Sequence, residues 1–387
     1  DTQTISVTSK SSYNIKLAED TKALEEVVVI GYGSARKKDV TGALTRVNVT
    51  EKETSPNVNA VQALRGSVAG LRVIDTGMAG ADGNIQIRGT ASITASNEPL
   101  IVLDGVPFSG GKLSDINTND IESMDVLKDA SSTAIYGSRG ANGVIMITTK
   151  KGTTSKPRLN YNGYVGFSDF AHMPKMMGPD RYLQLRKDAE AYMDQPWPFP
   201  TLEEENIKAG RTIDTWDVIK QSAPMTEHEL SVSGKGEQMT YYLSGAYTNQ
   251  KSALAGDKFE RLSVRANFDI DITKWLKIGT NSSFAMKDYS GNKADWGIAG
   301  WLSPFSSLRY DDGSLRKLPS GDGMITNPLW KVEMEDNKEV SYSLTNNNYM
   351  TVQLPIKGLS YQMNVANNLR FKELDNYIPS YDRDGFS

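Results

Sequence analysis

Apolar and polar positions divide the chain into a region of mixed patterns, residues 34–152, and a region of long alternating strands that follows it. In the first region, Val61, Leu64 and Val68 recur at helical spacing, which predicts a helix over 60–69. A second short helix is predicted over 131–136. Short β-type runs bounded by turn residues complete the pattern at 71–74, 85–88, 100–103, 121–127 and 144–149. Together they predict a compact α+β domain.

From residue 153 onward, apolar residues alternate strictly with polar or charged ones. Leu262 and Val264, for example, are interleaved with Arg261, Ser263 and Arg265. A strand with one apolar and one charged face needs an apolar environment on one side only, either a protein core or lipid. Seven candidate strands follow this pattern, near 158–168, 228–235, 239–249, 260–270, 275–287, 341–354 and 359–372.

The connections between these strands favour lipid over a protein core. The first, third and fifth connections are predicted to be long, and the second, fourth and sixth short. Outer-membrane barrels have short turns at one end and longer loops at the other, whereas a soluble sandwich has no reason to do so. Since seven strands cannot close a plugged barrel of about 22 strands, we expect a truncated chain with further strands beyond it.

Composition narrows the classes of protein. The 387 residues are 38% hydrophobic and 23% charged, and no run approaches the roughly 18 apolar residues of a membrane-spanning helix. The net charge of −4 and the pI near 5.5 do not favour a nucleic-acid partner. There are no cysteines, so disulfides and thiolate metal sites are excluded for this chain.

Four motifs, in order along the chain, resemble one family. Residues 120–152 contain the run Asp-Val-Leu-Lys-Asp-Ala-Ser-Ser-Thr-Ala-Ile-Tyr-Gly-Ser-Arg-Gly-Ala-Asn-Gly-Val, which resembles the end of the plug domain in SusC/RagA-type TonB-linked outer-membrane transporters. The segment at 25–33, Glu-Glu-Val-Val-Val-Ile-Gly-Tyr-Gly, resembles the stretch before that plug. Ile-Arg-Gly at 87–89 and Val-Leu-Asp-Gly-Val-Pro at 102–107 also match. The resemblance covers about 25–152, and the later strands match it in style only.

The resemblance implies an importer of oligosaccharides, or sometimes peptides, in the outer membrane of Bacteroidetes. It implies two partners, the TonB complex and a SusD-like surface lipoprotein. The expected fold is an α+β plug followed by antiparallel transmembrane β-barrel strands. The expected divisions are the tail of a carboxypeptidase-regulatory-like extension at 1–24, a TonB box region at 25–33, the plug at 34–152 and the first barrel strands at 153–387. A surface receptor or adhesin without transport and a soluble β-rich envelope enzyme are the alternatives.

The run at 25–31 is the predicted TonB contact. TonB needs an extended segment to pair with, and β-branched residues favour main-chain pairing as an added strand. The acidic residues before the run would keep it soluble until then. The predicted TonB-binding residues are Glu25, Glu26, Val27, Val28, Val29, Ile30 and Gly31. An ordinary plug strand is the alternative. A dinucleotide-binding turn is disfavoured because Arg36 occupies the third glycine position.

Three aromatic residues in the fifth connection, Trp296, Trp301 and Phe305, are candidate substrate contacts because aromatic faces suit sugar rings. Anchoring at the membrane interface or packing within the loop is the alternative. The two histidines, His172 and His228, have no metal-ligand spacing around them. We therefore expect no catalytic, cofactor-binding or metal-binding residues and no enzyme activity, although a calcium loop at 82–84 or 311–313 stays open.

Overall fold

A computed structural model describes residues 27–30, 33–36, 44–49 and 60–379, with 91, 95 and 357 left out. The predicted extension at 1–24 lies outside the described residues. The first described elements are β1 (Val27–Ile30) and β2 (Gly33–Arg36), which pair with each other as an antiparallel two-stranded sheet. No helix within the described ranges combines the length and the hydropathy needed to cross a membrane.

A five-stranded mixed sheet organises the domain that we call the plug, residues 44–152. Its strand order is β3-β8-β9-β6-β7, and only the pairing of β6 with β9 is parallel. The tight turn between β6 and β7 is made by Asp104 and Gly105, with φ of 48° and 83°, as the sequence signal predicts. The strands are β3 (Leu44–Asn48), β6 (Leu100–Leu103), β7 (Val106–Pro107), β8 (Ile121–Leu127) and β9 (Val144–Thr149).

One helix and a small sheet cover this mixed sheet. Helix α1 (Ala60–Leu64) is shorter than the predicted helix over 60–69, because Gly66 takes a left-handed conformation with φ of 69° and ends it. Strands β4 (Leu71–Ile74) and β5 (Asn84–Ile87) pair antiparallel. The buried faces form an apolar core that includes Val61, Leu64, Val68, Ile85, Met124, Val126, Ile145 and Ile147.

The second predicted plug helix, over 131–136, is divided in the structure. Helix α2 (Ala130–Thr133) passes directly into 3-10 turns over Ala134–Gly140. The break is at Gly137, whose φ of 59° and ψ of −145° are not helical. The change of conformation leaves Arg139 exposed at the edge of the plug.

Seven antiparallel strands in simple chain order form the second sheet, which we call the wall. All seven strands predicted from alternation are present. The wall strands are β10 (Arg158–Ser168), β11 (Ala223–Lys235), β12 (Met239–Lys251), β13 (Lys258–Asp271), β14 (Leu276–Asp288), β15 (Asp336–Gln353) and β16 (Ser360–Tyr377).

The prediction of alternating connection lengths was only partly correct. The first and fifth connections, 169–222 and 289–335, are long, and 236–238 and 272–275 are short. The third and sixth connections, however, span 252–257 and 354–359 and are therefore equal, at six residues each. The third is shorter than expected because pairing of β12 with β13 extends to Lys251 and Lys258.

The two long connections are not irregular loops. The first contains α3 (Pro179–Met193), α4 (Thr201–Ala209) and α5 (Thr215–Ile219), and the fifth contains α6 (Trp296–Ala299) and α7 (Trp330–Met334). They share an apolar cluster that includes Trp216, Ile219, Leu254 and Ala299. We call this packed pair of connections the loop cap.

Burial along the wall is opposite to that of a soluble sheet. Arg261, Ser263 and Arg265 are buried, whereas the interleaved Leu262 and Val264 are 44% and 50% exposed. We call the charged, buried face the inner face and the apolar, exposed face the outer face. The plug lies against the inner face, which gives the charged side chains their partners.

Candidate functional site

The contact between plug and inner face is the most unusual polar region of the described chain. On the plug it is built from two consecutive 3-10 turns, Leu113–Asp115 and Thr118–Asp120. Short-range hydrogen bonds fix these turns: the Lys112 N–H donates to the Asp115 carboxylate over 2.8 Å. The Asn119 N–H donates to Asn117 Oδ1 over 3.1 Å. The turns therefore hold two carboxylates and two amides towards the wall.

Asp120 is the most heavily bonded of these plug groups. Arg265 on β13 forms an ion pair with it, with 3.2 Å between Nε and Oδ2. The Tyr242 and Ser244 hydroxyls on β12 donate to Oδ1 over 2.9 Å and 2.5 Å. The side chains of Asp120 and Arg265 are 5% and 2% exposed, so both charges lie away from water. Removal of one partner would leave the other buried and unpaired.

Asp115 forms the second charged contact. Its Oδ1 lies 2.5 Å from Lys287 Nζ on β14, and its Oδ2 contacts the guanidinium of Arg370 on β16. Lys287 also donates to the Ser114 hydroxyl over 3.0 Å. One plug carboxylate thus binds two wall strands that are not adjacent.

Two wall carboxylates meet amides of the plug. Asn117 Nδ2 donates to Glu229 over 2.9 Å, and Asn119 Nδ2 donates to Glu227 over 2.6 Å. Glu227 also faces Arg261 on β13, at 3.9 Å. Each buried charge on the inner face of β11 and β13 therefore has a partner of opposite charge or a hydrogen-bond donor.

The tip of the plug, residues 78–82, docks between β12 and β13. The Ala79 N–H donates to Asp257 over 2.8 Å and the Gly80 N–H donates to Gln250 over 3.0 Å. Gly80 has φ of 63°, and a Cβ there would lie 2.1 Å from the ring of Phe259. Only glycine fits this approach, for conformational and steric reasons.

The end of the plug is held by a third group of contacts. Lys151 Nζ donates to Asp269 over 2.9 Å and to the Tyr349 hydroxyl over 3.1 Å. Burial alone would lower the pKa of the Lys151 ammonium, but Tyr349 and Asp269 outweigh burial and the pKa lies above its usual value. Lys151 therefore stays charged at physiological pH. Beside it, Asn267 Nδ2 donates to the Thr149 hydroxyl over 2.9 Å.

This geometry suits reversible docking. A polar interface can exchange its contacts for water when it opens, whereas an apolar interface would expose surface that water disfavours. Within the described residues, no three His, Cys, Asp or Glu side chains are grouped closely enough to hold a metal ion.

Comparisons with known proteins agree with this arrangement. Residues 36–144 match the TonB-dependent Receptor Plug Domain family. A TonB-dependent receptor of Formosa agariphila is 34% identical over 340 residues, and the TonB-dependent receptor SusC of Bacteroides thetaiotaomicron is 34% identical over 344 residues. These alignments cover 86% and 84% of the chain but 34% and 33% of the relatives. The chain therefore spans about a third of the length of these curated relatives.

A solved structure extends the likeness to the fold. The RagAB peptide importer in its 'open-open' state matches with a TM-score of 0.75 and 27% identity, over 91% of this chain and 43% of that chain. The chain belongs to the SusC/RagA type of TonB-dependent transporters. Its α+β plug and antiparallel wall are the plug and the barrel strands of that type.

The structure places part of the predicted TonB box of this SusC/RagA-type chain. Val27–Ile30 form β1, which pairs with β2 in register from Val27 with Arg36 to Ile30 with Gly33. Neither strand belongs to the mixed sheet of the plug. Glu25, Glu26 and Gly31 lie outside the described residues.

The three aromatic substrate candidates have different surroundings. Trp301 is 78% exposed and borders a cavity of about 730 Å³ in the loop cap. Trp296 stacks on Trp216 with 4.4 Å between ring centroids and borders a cavity of about 530 Å³ shared with the plug tip. Phe305 is only 4% exposed and packs against Tyr182. Phe305 therefore supports the loop cap and has no free face for a sugar, because the surrounding loop covers it.

The loop cap also contains a buried carboxyl group. Burial raises the pKa of Glu203 on α4 above its ordinary value, although hydrogen bonds from Ser303 and Tyr182 and the charge of Arg186 oppose the rise. Arg186 itself lies over the ring of Trp197, 3.8 Å from its centroid. The cap is thus a folded unit with polar groups in its interior.

Sequence reasoning missed the charges that join plug and wall. The plug cations Arg88 and Arg139 contact Asp129 and Ser109 of the plug itself. Across the contact, Asp115 and Asp120 of the plug pair with wall cations, and Lys151 at the end of the plug pairs with Asp269. The sequence contains the polar residues of 114–120 and the alternating cations of 261–265. It does not indicate that the two segments pair with each other.

Proposed function

We propose that the full-length protein actively imports a bulky polar nutrient across the bacterial outer membrane, driven by TonB. The observation that carries the proposal is a plug with its own apolar core, docked on a charged inner face by contacts that water can replace. The exposed apolar outer face supports a place in lipid. The proposal includes the division of the chain into the tail of an extension at 1–24, a TonB box region at 25–33, the plug at 34–152 and the first barrel strands at 153–387.

The proposed substrate is an oligosaccharide, with a peptide as the competing class. The indole of Trp301 is exposed beside the loop-cap cavity of about 730 Å³. It supports a sugar as the substrate, because a flat aromatic face can stack on a sugar ring. The structural relative RagAB is described as a peptide importer, so a bound peptide is the alternative outcome of the purification below. The proposed partner at the loop cap is a SusD-like surface lipoprotein.

The first test is a mild-detergent purification of the full-length protein from its native outer membrane. Mass spectrometry then identifies the copurified proteins and any retained solute. We expect a stoichiometric surface lipoprotein and a bound oligosaccharide. Recovery of the protein alone from a soluble fraction would contradict the proposal.

The second test separates import from binding. Val28→Pro removes a main-chain donor and blocks strand pairing, so we expect solute uptake to be lost while solute binding is kept. Val28→Ile preserves pairing and is the matched control. If both variants take up solute at the wild-type rate, residues 25–31 are not the TonB contact. If wild-type protein binds solute but none enters the periplasm, the protein is a receptor without transport.

A further inference from the structure

A cavity of about 410 Å³ lies between the plug and parts of β14, β15 and β16. The β6–β7 hairpin, residues 103–109, and Arg139 border it on the plug side. On the opposite side, the inner faces of three wall strands form its surface. The plug and the wall therefore border it on two opposite sides.

Two rows of neutral polar residues line the wall side. Pairing of the strands places Asn281 opposite Asn347, and Ser283 opposite Thr345, which in turn is opposite Asn368. Because residues two apart share a face, both rows point to the cavity side of the sheet. The lining is thus rich in carboxamides and hydroxyls.

Within the described part of the chain, two buried carboxamides of this lining have polar atoms without a hydrogen-bond partner. Asn347 is 5% exposed, and neither its Oδ1 nor its Nδ2 has a hydrogen-bond partner. Asn281 is 6% exposed and its Oδ1 also lacks a partner. Buried amides without partners are rare in folded proteins because they lose hydrogen bonds to water without replacement. These groups therefore have bonding capacity for a ligand.

Charged groups around the cavity are already engaged. Arg265 pairs with Asp120, Asp104 accepts from the Thr149 hydroxyl, and Arg139 donates to Ser109. Arg139 and Asp104 carry opposite charges, so together they give the lining no net charge, and the bonding capacity of its carboxamides includes both donors and acceptors. A saccharide hydroxyl is itself a donor and an acceptor, so it matches a carboxamide, whereas a short peptide would bring charged termini.

We propose that this cavity is a binding subsite for a neutral, hydroxyl-rich solute, held between the plug and β14–β16. The inference rests on the proposed import function, since it gives the solute a place beside the plug. The inner face of β13 offers no comparable site, because Arg261 and Arg265 there are bound to side chains of β11, β12 and the plug.

The test uses single cysteines in the full-length protein, with any cysteine outside this chain first replaced by serine. Asn347→Cys places a thiol in the cavity. Ser263→Cys is the matched control, since Ser263 is also 5% exposed on the inner face but lies between Arg261 and Arg265. Native outer membranes are treated with neutral 2-hydroxyethyl methanethiosulfonate, or with its anionic sulfonatoethyl or cationic trimethylammonioethyl counterpart. Each rate is normalised to that of free glutathione.

We expect the neutral reagent to modify Asn347→Cys on the order of ten-fold faster than Ser263→Cys, and ten-fold faster than either charged reagent modifies Asn347→Cys. Equal rates for the three reagents would indicate space for water and small solutes without selectivity, and would overturn the proposal. Equal rates of modification by the neutral reagent at Asn347→Cys and Ser263→Cys would also overturn the proposal. Thr345→Cys, in the second row, repeats the measurement if Asn347→Cys does not assemble.

The outcome is separable from that of the proposed function. Labelling needs no transport, so a protein that never imports solute can still show the neutral preference. In that case the import function fails and the subsite stands. A protein that imports normally but shows no preference at Asn347→Cys or Thr345→Cys refutes the subsite alone.

Discussion

The interior of the plug and its contact with the wall are both buried, yet they are built from opposite chemistry. Inside the plug, Leu64, Met124 and Ile145 are fully buried among other apolar side chains. At the contact, Arg265 and Asp120 are almost as completely buried, and they are charged. Burial alone therefore does not distinguish the permanent contacts inside the plug from the plug–wall contact that can open.

The difference indicates which boundary can open. Separation of apolar surfaces costs free energy in proportion to the area exposed, at about 25 cal/mol per Å². A buried ion pair has already lost its hydration, and it regains that hydration when it separates. The plug can thus leave its docking site as a folded unit more readily than it can unfold. Three variants test this comparison, and a fourth examines a region outside it.

Removal of a single charge at the contact should have the largest effect. Asp120→Ala leaves Arg265 buried without a counter-charge, and we expect plug docking to weaken by about 3–5 kcal/mol. The measurement is the urea concentration at which the amides of Ala79 and Gly80, which are bonded across the contact, lose protection from hydrogen exchange. Asp217→Ala, which breaks an exposed pair with Lys220, is the control and should change little. Equal effects of the two substitutions would show that the contact is not a buried ionic one.

A cavity inside the plug should come next. Leu64 is 0% exposed, and Leu64→Ala should destabilise the plug by about 3 kcal/mol through lost contacts and the space left behind. Hydrogen exchange should then accelerate in β8 and β9 while β12 and β13 keep their protection. Ile93→Ala, at a fully exposed plug position, should leave exchange unchanged. Loss of protection in the wall as well would mean that plug and wall unfold together.

A variant in which apolar side chains replace the charged contact should keep the plug docked on the wall. In Asp120→Leu/Arg265→Met, combined with Tyr242→Phe and Ser244→Ala to remove two hydroxyls that would lose their acceptor, we expect docking within about 1 kcal/mol of wild type, or tighter. Solute uptake should nevertheless fall, because the opened contact would expose apolar surface. Uptake and docking are measured on the same membranes. Wild-type uptake in this variant would contradict the role of charge in plug release.

The smallest effect is expected away from both regions, at Glu203 in the loop cap. Burial raises the pKa of this carboxyl, so folding favours its protonated form and α4 loses stability as pH rises through that pKa. The protection factors of α4 amides, which are corrected for the intrinsic pH dependence of exchange, should therefore be larger at pH 4 than at pH 7. Glu203→Gln, which stays neutral, should remove the difference. A pH dependence that persists in this variant would assign it to another group.

The strands of the wall were predictable because their signal is local. Alternation of Leu262 and Val264 with Arg261 and Arg265 is visible in consecutive residues, and it also identifies the two faces. The pairing of Asp120 with Arg265 was not predictable, since the two are separated by 145 positions and no local pattern links them. The same holds for Asn281 and Asn347, whose meeting depends on the register of β14 and β15.

The loop cap was missed for a different reason. Helix α3 has a nearly uniform polar surface, and of its residues only Arg186 is buried. No apolar stripe therefore marks it in the sequence. Phe305 was a reasonable substrate candidate by residue type, but its burial against Tyr182 comes from contacts between the first and fifth connections. Residue type alone could not separate a packing ring from an exposed one.

The approach of Gly80 to Phe259 limits how freely such plugs and barrels can be exchanged between relatives. A plug with any side chain at position 80 would collide with the aromatic ring, and a wall without that ring would leave a gap under the glycine. The two positions form a matched pair across a domain boundary. A foreign plug grafted into this barrel would need glycine at the position of residue 80. Otherwise the residue at position 259 would have to be replaced together with the plug.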